Sequence, residues 1–186
     1  KGSFYVKDIY QKLSWCYYLQ DNQTAANNAR MNCIKKGATI TDADKQALKD
    51  AKKNTWPNVT LLKARILNDG GLNQQAIQVL QGKSTSSFSK EEEQLEFTYR
   101  VGRINDDLGK DEDAIAFYLK AIAIGQERTE YYAARAALQI GMIYERKGNK
   151  KTAIQYYQQC LDMENHDYKN SLDQRAKSGI ARCKGE

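Results

Sequence analysis

The stretch ALQIGMIYERKGNKKTAIQYY, Ala137–Tyr157, decides the fold. Its first half sets Leu138, Ile140, Gly141 and Tyr144 at helical spacing. Gly148 and Asn149 follow, both tolerant of the left-handed conformation, and they predict a stop. A second helical run covers Lys151–Met163, with Ala153, Ile154, Tyr157 and Leu161 on one face. Two helices joined by so short a turn must lie antiparallel. Gly141 and Ala153 are small, as expected where two backbones cross closely. A glycine inside a helix costs about 1 kcal/mol relative to alanine, so its recurrence marks a packing need.

The pattern recurs along the chain. One copy earlier, Gly102, Gly109, Ala114, Tyr118 and Ala121 stand for Gly141, Gly148, Ala153, Tyr157 and Cys160. Another copy back, Ala64, Gly71, Ala76 and Leu80 occupy the same places. A weaker version near the start keeps Tyr10, Leu13, Ser14, Tyr17 and Ala26. Repeats of this length mean stacked supersecondary units, each burying a face that it cannot bury alone.

The pattern of a large residue, Leu-Gly, Tyr and Ala-x-x-x-Phe resembles the tetratricopeptide repeat (TPR) family. The last copy departs from it by Ala137 in place of Trp and by the missing final Pro, and the first by Arg30 in place of Phe. The resemblance implies an all-α, α-α superhelix, a solenoid of antiparallel helix pairs. On this reading residues 1–186 form one domain with repeats near 7–40, 57–90, 95–128 and 134–167. A helix is inserted at 42–53, opened by Thr41-Asp42-Ala43-Asp44, and a capping helix lies at 168–184. Ser89-Lys90-Glu91-Glu92 reads as a capping box, and the extra residues around Gln126–Glu130 as an added turn on the following helix. The tail YKNSLDQRAKSGIARC also faintly resembles inclusion-body-clearance-type TPR proteins, a likeness that assigns no residue.

Composition agrees with a helical reading. Twelve Gly and one Pro are too few for a barrel or sandwich with many tight turns. The net charge of +6 is uneven: residues 1–56 sum to +5, 57–133 to −3 and 134–186 to +4. An acidic middle between basic ends does not make the continuous stripe that nucleic-acid binding requires, so no nucleic acid is expected. No apolar run is long enough to insert directly in a membrane. The chain carries no signal-peptide pattern and does not begin with Met, and it reads as a piece of a longer protein. Whether it is cytoplasmic or periplasmic stays open.

The chemistry-bearing motifs are missing. Cys16, Cys33, Cys160 and Cys183 form no CxxC pair, and His166 is the single histidine. There is no phosphate loop, GxSxG or HExxH. Neither catalysis nor a cofactor or metal is expected. By resemblance, the concave groove lined by the first helix of each pair binds a peptide or partner helix. Counting outward from the small residues of those helices nominates Arg65, Asn68, Tyr99, Arg103, Asp106, Arg135, Leu138 and Met142 as lining it. The expected role is a protein-interaction scaffold. The alternative is a structural or assembly module of a larger multidomain or envelope protein, without a ligand of its own.

Overall fold

The computed structural model describes residues 4–53 and 55–186. Every regular element among them is helical: α1 (Val6–Leu19), α2 (Gln23–Lys35), α3 (Asp42–Lys52), α4 (Val59–Asp69), α5 (Asn73–Leu80), α6 (Glu91–Asp107), α7 (Asp111–Gly125), α8 (Tyr132–Arg146), α9 (Lys150–Asp162) and α10 (Lys169–Lys184). A short 3-10 turn, Thr85–Ser87, precedes α6. None of these helices is long and apolar enough to cross a membrane. Two compact units divide the chain, Lys1–Leu62 and Lys63–Glu186.

In the first unit α1 packs on α2, and α3 packs against both. Helix α1 starts at Tyr5, whose φ of 61° is left-handed and whose side chain caps nothing. The cap comes from α3. Asp44, fully buried, accepts hydrogen bonds from the backbone amides of Tyr5 (2.9 Å), Lys7 (3.0 Å) and Asp8 (3.3 Å), and from the Thr41 hydroxyl (2.8 Å). Burial alone would raise the Asp44 pKa, but those hydrogen bonds outweigh it and hold the carboxyl below its usual value. Lys7, also buried, donates from Nζ to the carbonyls of Cys33 (2.9 Å) and Ile34 (3.1 Å), satisfying the C-terminal end of α2. Tyr18 stacks on Trp56 at 4.6 Å, and Arg30 lies over the same indole.

The second unit is built by tyrosines seated on glycines. A Cβ on Gly102 of α6 would come within 2.7 Å of the Tyr118 ring from α7. The same atom on Gly141 of α8 would come within 2.6 Å of Tyr157 from α9. Gly179 of α10 lies against the other edge of the Tyr157 ring, which is thereby held between α8 and α10. Both rings are fully buried. The crossing predicted at Gly141 and Ala153 is therefore filled by Tyr157, one turn beyond Ala153. Tyr118 fills the same place one turn beyond Ala114.

Three local readings are corrected. Ser89 does not cap α6; Lys90 is the N-cap and makes no side-chain cap bond, while Glu91, Glu92 and Glu93 complement the helix N-terminus electrostatically. Residues 126–130 do not extend α8. They form the connection after α7, because α8 begins only at Tyr132. Asn149 does not end α8 but opens α9, its side chain accepting from the Thr152 amide, while Gly148 at φ 78° makes the turn.

Two outcomes test this account. Gly141→Ala forces the Tyr157 ring out of a filled core and costs about 1–3 kcal/mol, read by urea denaturation followed by far-UV circular dichroism. Asp44→Asn costs about 2–3 kcal/mol at pH 7. A depressed carboxyl pKa stabilises above the unfolded value near 3.9, and that contribution fades as pH falls through the folded value. The gap between wild type and Asp44→Asn therefore narrows as pH falls below the unfolded value and through the lower folded one. Trp15 and Trp56 both lie in the first unit, so tryptophan fluorescence reads its unfolding separately.

Candidate functional site

Within the second unit, α6 packs on α8 and α8 on α10. No comparable contact joins α7 to α9 among the described residues. The layer of first helices is thus the more closely packed one. This layer carries most of the residues nominated from sequence.

Tyrosines line it. Tyr99 of α6 contacts Tyr132 at 5.2 Å and Tyr131 at 6.2 Å between ring centroids, and Tyr131 meets Tyr168 edge-on at 4.9 Å. Arginines lie over these rings. The Arg100 guanidinium sits 5.6 Å from the Tyr99 centroid and 5.8 Å from that of Tyr132, while Arg135 sits 5.9 Å from Tyr131. Such stacking is attractive because the ring face is negative. Arg100 is buried and donates through Nε and Nη2 to Glu96 Oε1, each at 3.1 Å. Arg103 pairs with Asp107 at 3.0 Å and Arg65 with Asp69 at 3.7 Å.

The nominated residues divide into two groups. Arg65, Arg103, Arg135 and Met142 are half-buried on or beside this layer. Tyr99 and Leu138 are only 2% and 1% exposed and belong to the hydrophobic core, so neither side chain lies open on the face. The count outward from the small residues misplaces them because the core wraps well round α6 and α8. Asn68 and Asp106 are committed to structure. Asn68 Nδ2 donates to Asn73 (2.8 Å) and to Asp107 of α6 (2.9 Å). Asp106 accepts from Tyr118, from Gln139 (3.1 Å) and from Arg146 (3.2 Å) of α8. Glu145, the equivalent residue of the next pair, accepts from Tyr157 and from Arg182 of α10. Arg146 and Lys147, at the end of α8, pair with Asp111 and Glu112 respectively.

Two residues at this layer, one of them buried, were not nominated. Arg100 sits beside Tyr99 on a helix side that the spacing assigns to packing. Arg175 lies in the last helix, outside the repeats, and its Nη2 reaches the Met142 sulfur at 3.5 Å. No motif in the sequence marks either residue.

Elsewhere the chemistry is quiet. Burial pushes the Cys33 thiol up to about 11 and the Cys160 thiol up to about 12, so neither supplies a thiolate at neutral pH. No group of three or more His, Cys, Asp or Glu side chains among the described residues is placed to hold a metal. A cleft of about 390 Å³ opens between the α7–α8 and α9–α10 connections, lined by Arg128, Glu130, Asp162, Glu164 and His166 among others.

Residues 94–164 match the tetratricopeptide repeat family. That span takes in most of α6 and all of α7, α8 and α9. The TPR resemblance therefore rests on the two pairs whose tyrosines sit on glycines, and it indicates a role in protein–protein interaction. TPR helices of this kind are typically non-enzymatic. No curated protein matches the chain.

The buried Glu96–Arg100 pair underlies this face. Glu96→Gln leaves a buried guanidinium without its counter-charge and costs about 3–5 kcal/mol, whereas Glu96→Leu with Arg100→Met restores most of the stability. Denaturation of the two variants followed by circular dichroism checks this.

Proposed function

We propose that the second unit binds an acidic peptide segment of a partner protein along the face formed by residues 63–69 of α4 with α6, α8 and α10. The observation that carries this reading is the arginine–tyrosine surface itself. Arg65, Arg103, Arg135 and Arg175 stand on four successive first-position helices, with the half-buried Tyr131 ring under Arg135. Asp69 and Asp107 pair with Arg65 and Arg103 on this layer, Asp106 and Glu145 tie successive helices together, and Glu96 is held by Arg100, so that Arg135 and Arg175 carry the charge left over. Arginine and tyrosine are enriched where binding energy concentrates, because each offers large area with directional hydrogen bonds. Complementary charge chiefly steers encounter and sets specificity.

The probe is a fluorescein-labelled heptaglutamate peptide with blocked ends, and a heptalysine peptide of the same design is the control. The expected result is binding of the acidic peptide alone, by fluorescence anisotropy. Its affinity weakens as salt screens the charges. Arg65→Glu with Arg103→Glu lowers that affinity at least tenfold without moving the thermal midpoint by more than a few degrees. Equal binding of the two peptides, or an unaffected double variant, removes the basis for this assignment.

A further inference from the structure

Helix α1 buries a largely polar side and exposes an apolar one. The side chains it buries are Lys7, Gln11, Ser14 and Trp15. The three polar ones are satisfied within the unit: Lys7 at the end of α2, Gln11 on Asp50 of α3 (3.2 Å), and the Ser14 hydroxyl on the Gln11 carbonyl (2.7 Å). On the exposed side Ile9, Leu13 and Cys16 fall at i, i+4 and i+7, one face of the helix. Ile9 is 60% exposed and Leu13 40%. Tyr5, 53% exposed, continues the stripe one turn earlier, its carbonyl accepting from the Ile9 amide. Cys16 is exposed, whereas Cys33, Cys160 and Cys183 are buried. A single exposed leucine needs no explanation, but a continuous apolar stripe along a helix marks a surface that another chain covers.

We infer that this stripe is a contact between two copies of the chain, with α1 lying antiparallel on α1 across a two-fold axis near residue 10. It belongs to the first unit and shares no residue with the face proposed above. What selects a second copy is that the charges bordering the stripe complement themselves. Asp8 and Lys12 border it on one side, paired at 2.8 Å within the chain. Across a two-fold axis like flanks of antiparallel helices meet, so Asp8 stands level with the second copy's Lys12, and Lys12 with the second copy's Asp8. The four charges then alternate in sign. A parallel pair would set Asp8 against Asp8 and Lys12 against Lys12. The same register seats Ile9 between the second copy's Ile9 and Leu13, and brings the large Tyr5 toward the small Cys16. Phe4, Tyr5, Ile9 and Leu13 leave on the order of 400 Å² uncovered. Two such faces with their polar rims approach the ~1,000 Å² at which specific interfaces begin, which sets a weak dimer with a dissociation constant of roughly 10–100 µM. At 0.15 M salt, charges more than about 8 Å apart are screened, so the +5 of residues 1–56 does not hold two first units apart.

The test is sedimentation velocity of the full chain at that salt concentration, from about 1 to about 300 µM, either side of the expected constant. The expected result is a reversible passage from monomer to dimer. Ile9→Glu with Leu13→Glu, both at exposed positions, raises the dissociation constant at least tenfold. Far-UV circular dichroism and the thermal midpoint of a dilute sample of that variant stay close to wild type, as they would not if the stripe were part of the core. Cys16 gives a readout that needs no variant: its alkylation by iodoacetamide, followed by peptide mass spectrometry, slows at least threefold between the dilute and concentrated ends. The pairing is tested by charge exchange. Asp8→Lys and Lys12→Asp each self-associate at least threefold more weakly than wild type, and an equimolar mixture of the two recovers the lost association as a heterodimer. A chain that stays monomeric throughout overturns the proposal and leaves the acidic-peptide reading of the second unit untouched. A dimer that persists in the folded double variant, or one in which Cys16 alkylation is unchanged, overturns it as well. A mixture as weak as its components overturns the antiparallel pairing. Should the double variant fail to fold, the Cys16 rate and the charge-exchange mixture decide.

Discussion

A tyrosine ring lying where a glycine has no Cβ is the contact on which the second unit depends. Gly102 accepts Tyr118, and Gly141 with Gly179 encloses Tyr157. Each notch lets the second helix of a pair approach the first more closely than any side chain would permit, and each ring is fully buried. Dense packing of this kind tolerates little change in volume. The glycines sacrifice helix propensity, and burial of a large aromatic surface more than compensates for it. Because Gly179 belongs to α10, the last helix closes the stack by the device that joins the pairs before it.

The notch also sets where polar groups fall. The tyrosine that fills it projects its hydroxyl toward the acid twelve residues earlier, Asp106 for Tyr118 and Glu145 for Tyr157. Those acids then reach the next first-position helix through Arg146 and Arg182. Asn68 plays the corresponding part from α4 to α6 without a negative charge. Repeat after repeat, a carboxylate at the same register is committed to holding neighbours together. The arginines of the acidic middle segment, Arg65, Arg100 and Arg103, are themselves paired, and Arg135 and Arg175 belong to the basic segment that follows. Net charge by segment describes the chain, while the field at a surface depends on which charges are already paired.

Much of the architecture was legible before any coordinates. Gly102 and Gly141, Ala114 and Ala153, Tyr118 and Tyr157 recur in step, and one-dimensional recurrence is the signature of a stack of like units. Thr41 was readable as a cap because N-capping is local, and it does accept from the Asp44 amide. The face was legible only in part. Arg65, Arg103 and Arg135 follow from counting along single helices. Tyr99 and Leu138 were misplaced because counting assigns a direction and not a depth, and only neighbouring helices decide how far round a helix the core extends.

The amino-acid order by itself determined that this chain makes paired helices. Helical spacing, turn glycines and small residues at crossings act over a few residues and need no distant partner. Tertiary structure alone decided what those helices hold between them. Asp44 caps a helix that starts more than thirty residues earlier, and Lys7 closes the end of α2. Arg175, outside the repeats, reaches Met142 of α8. Each of these depends on charge or hydrogen-bonding groups far apart along the chain, whose distance is set by packing and leaves no periodic trace in sequence.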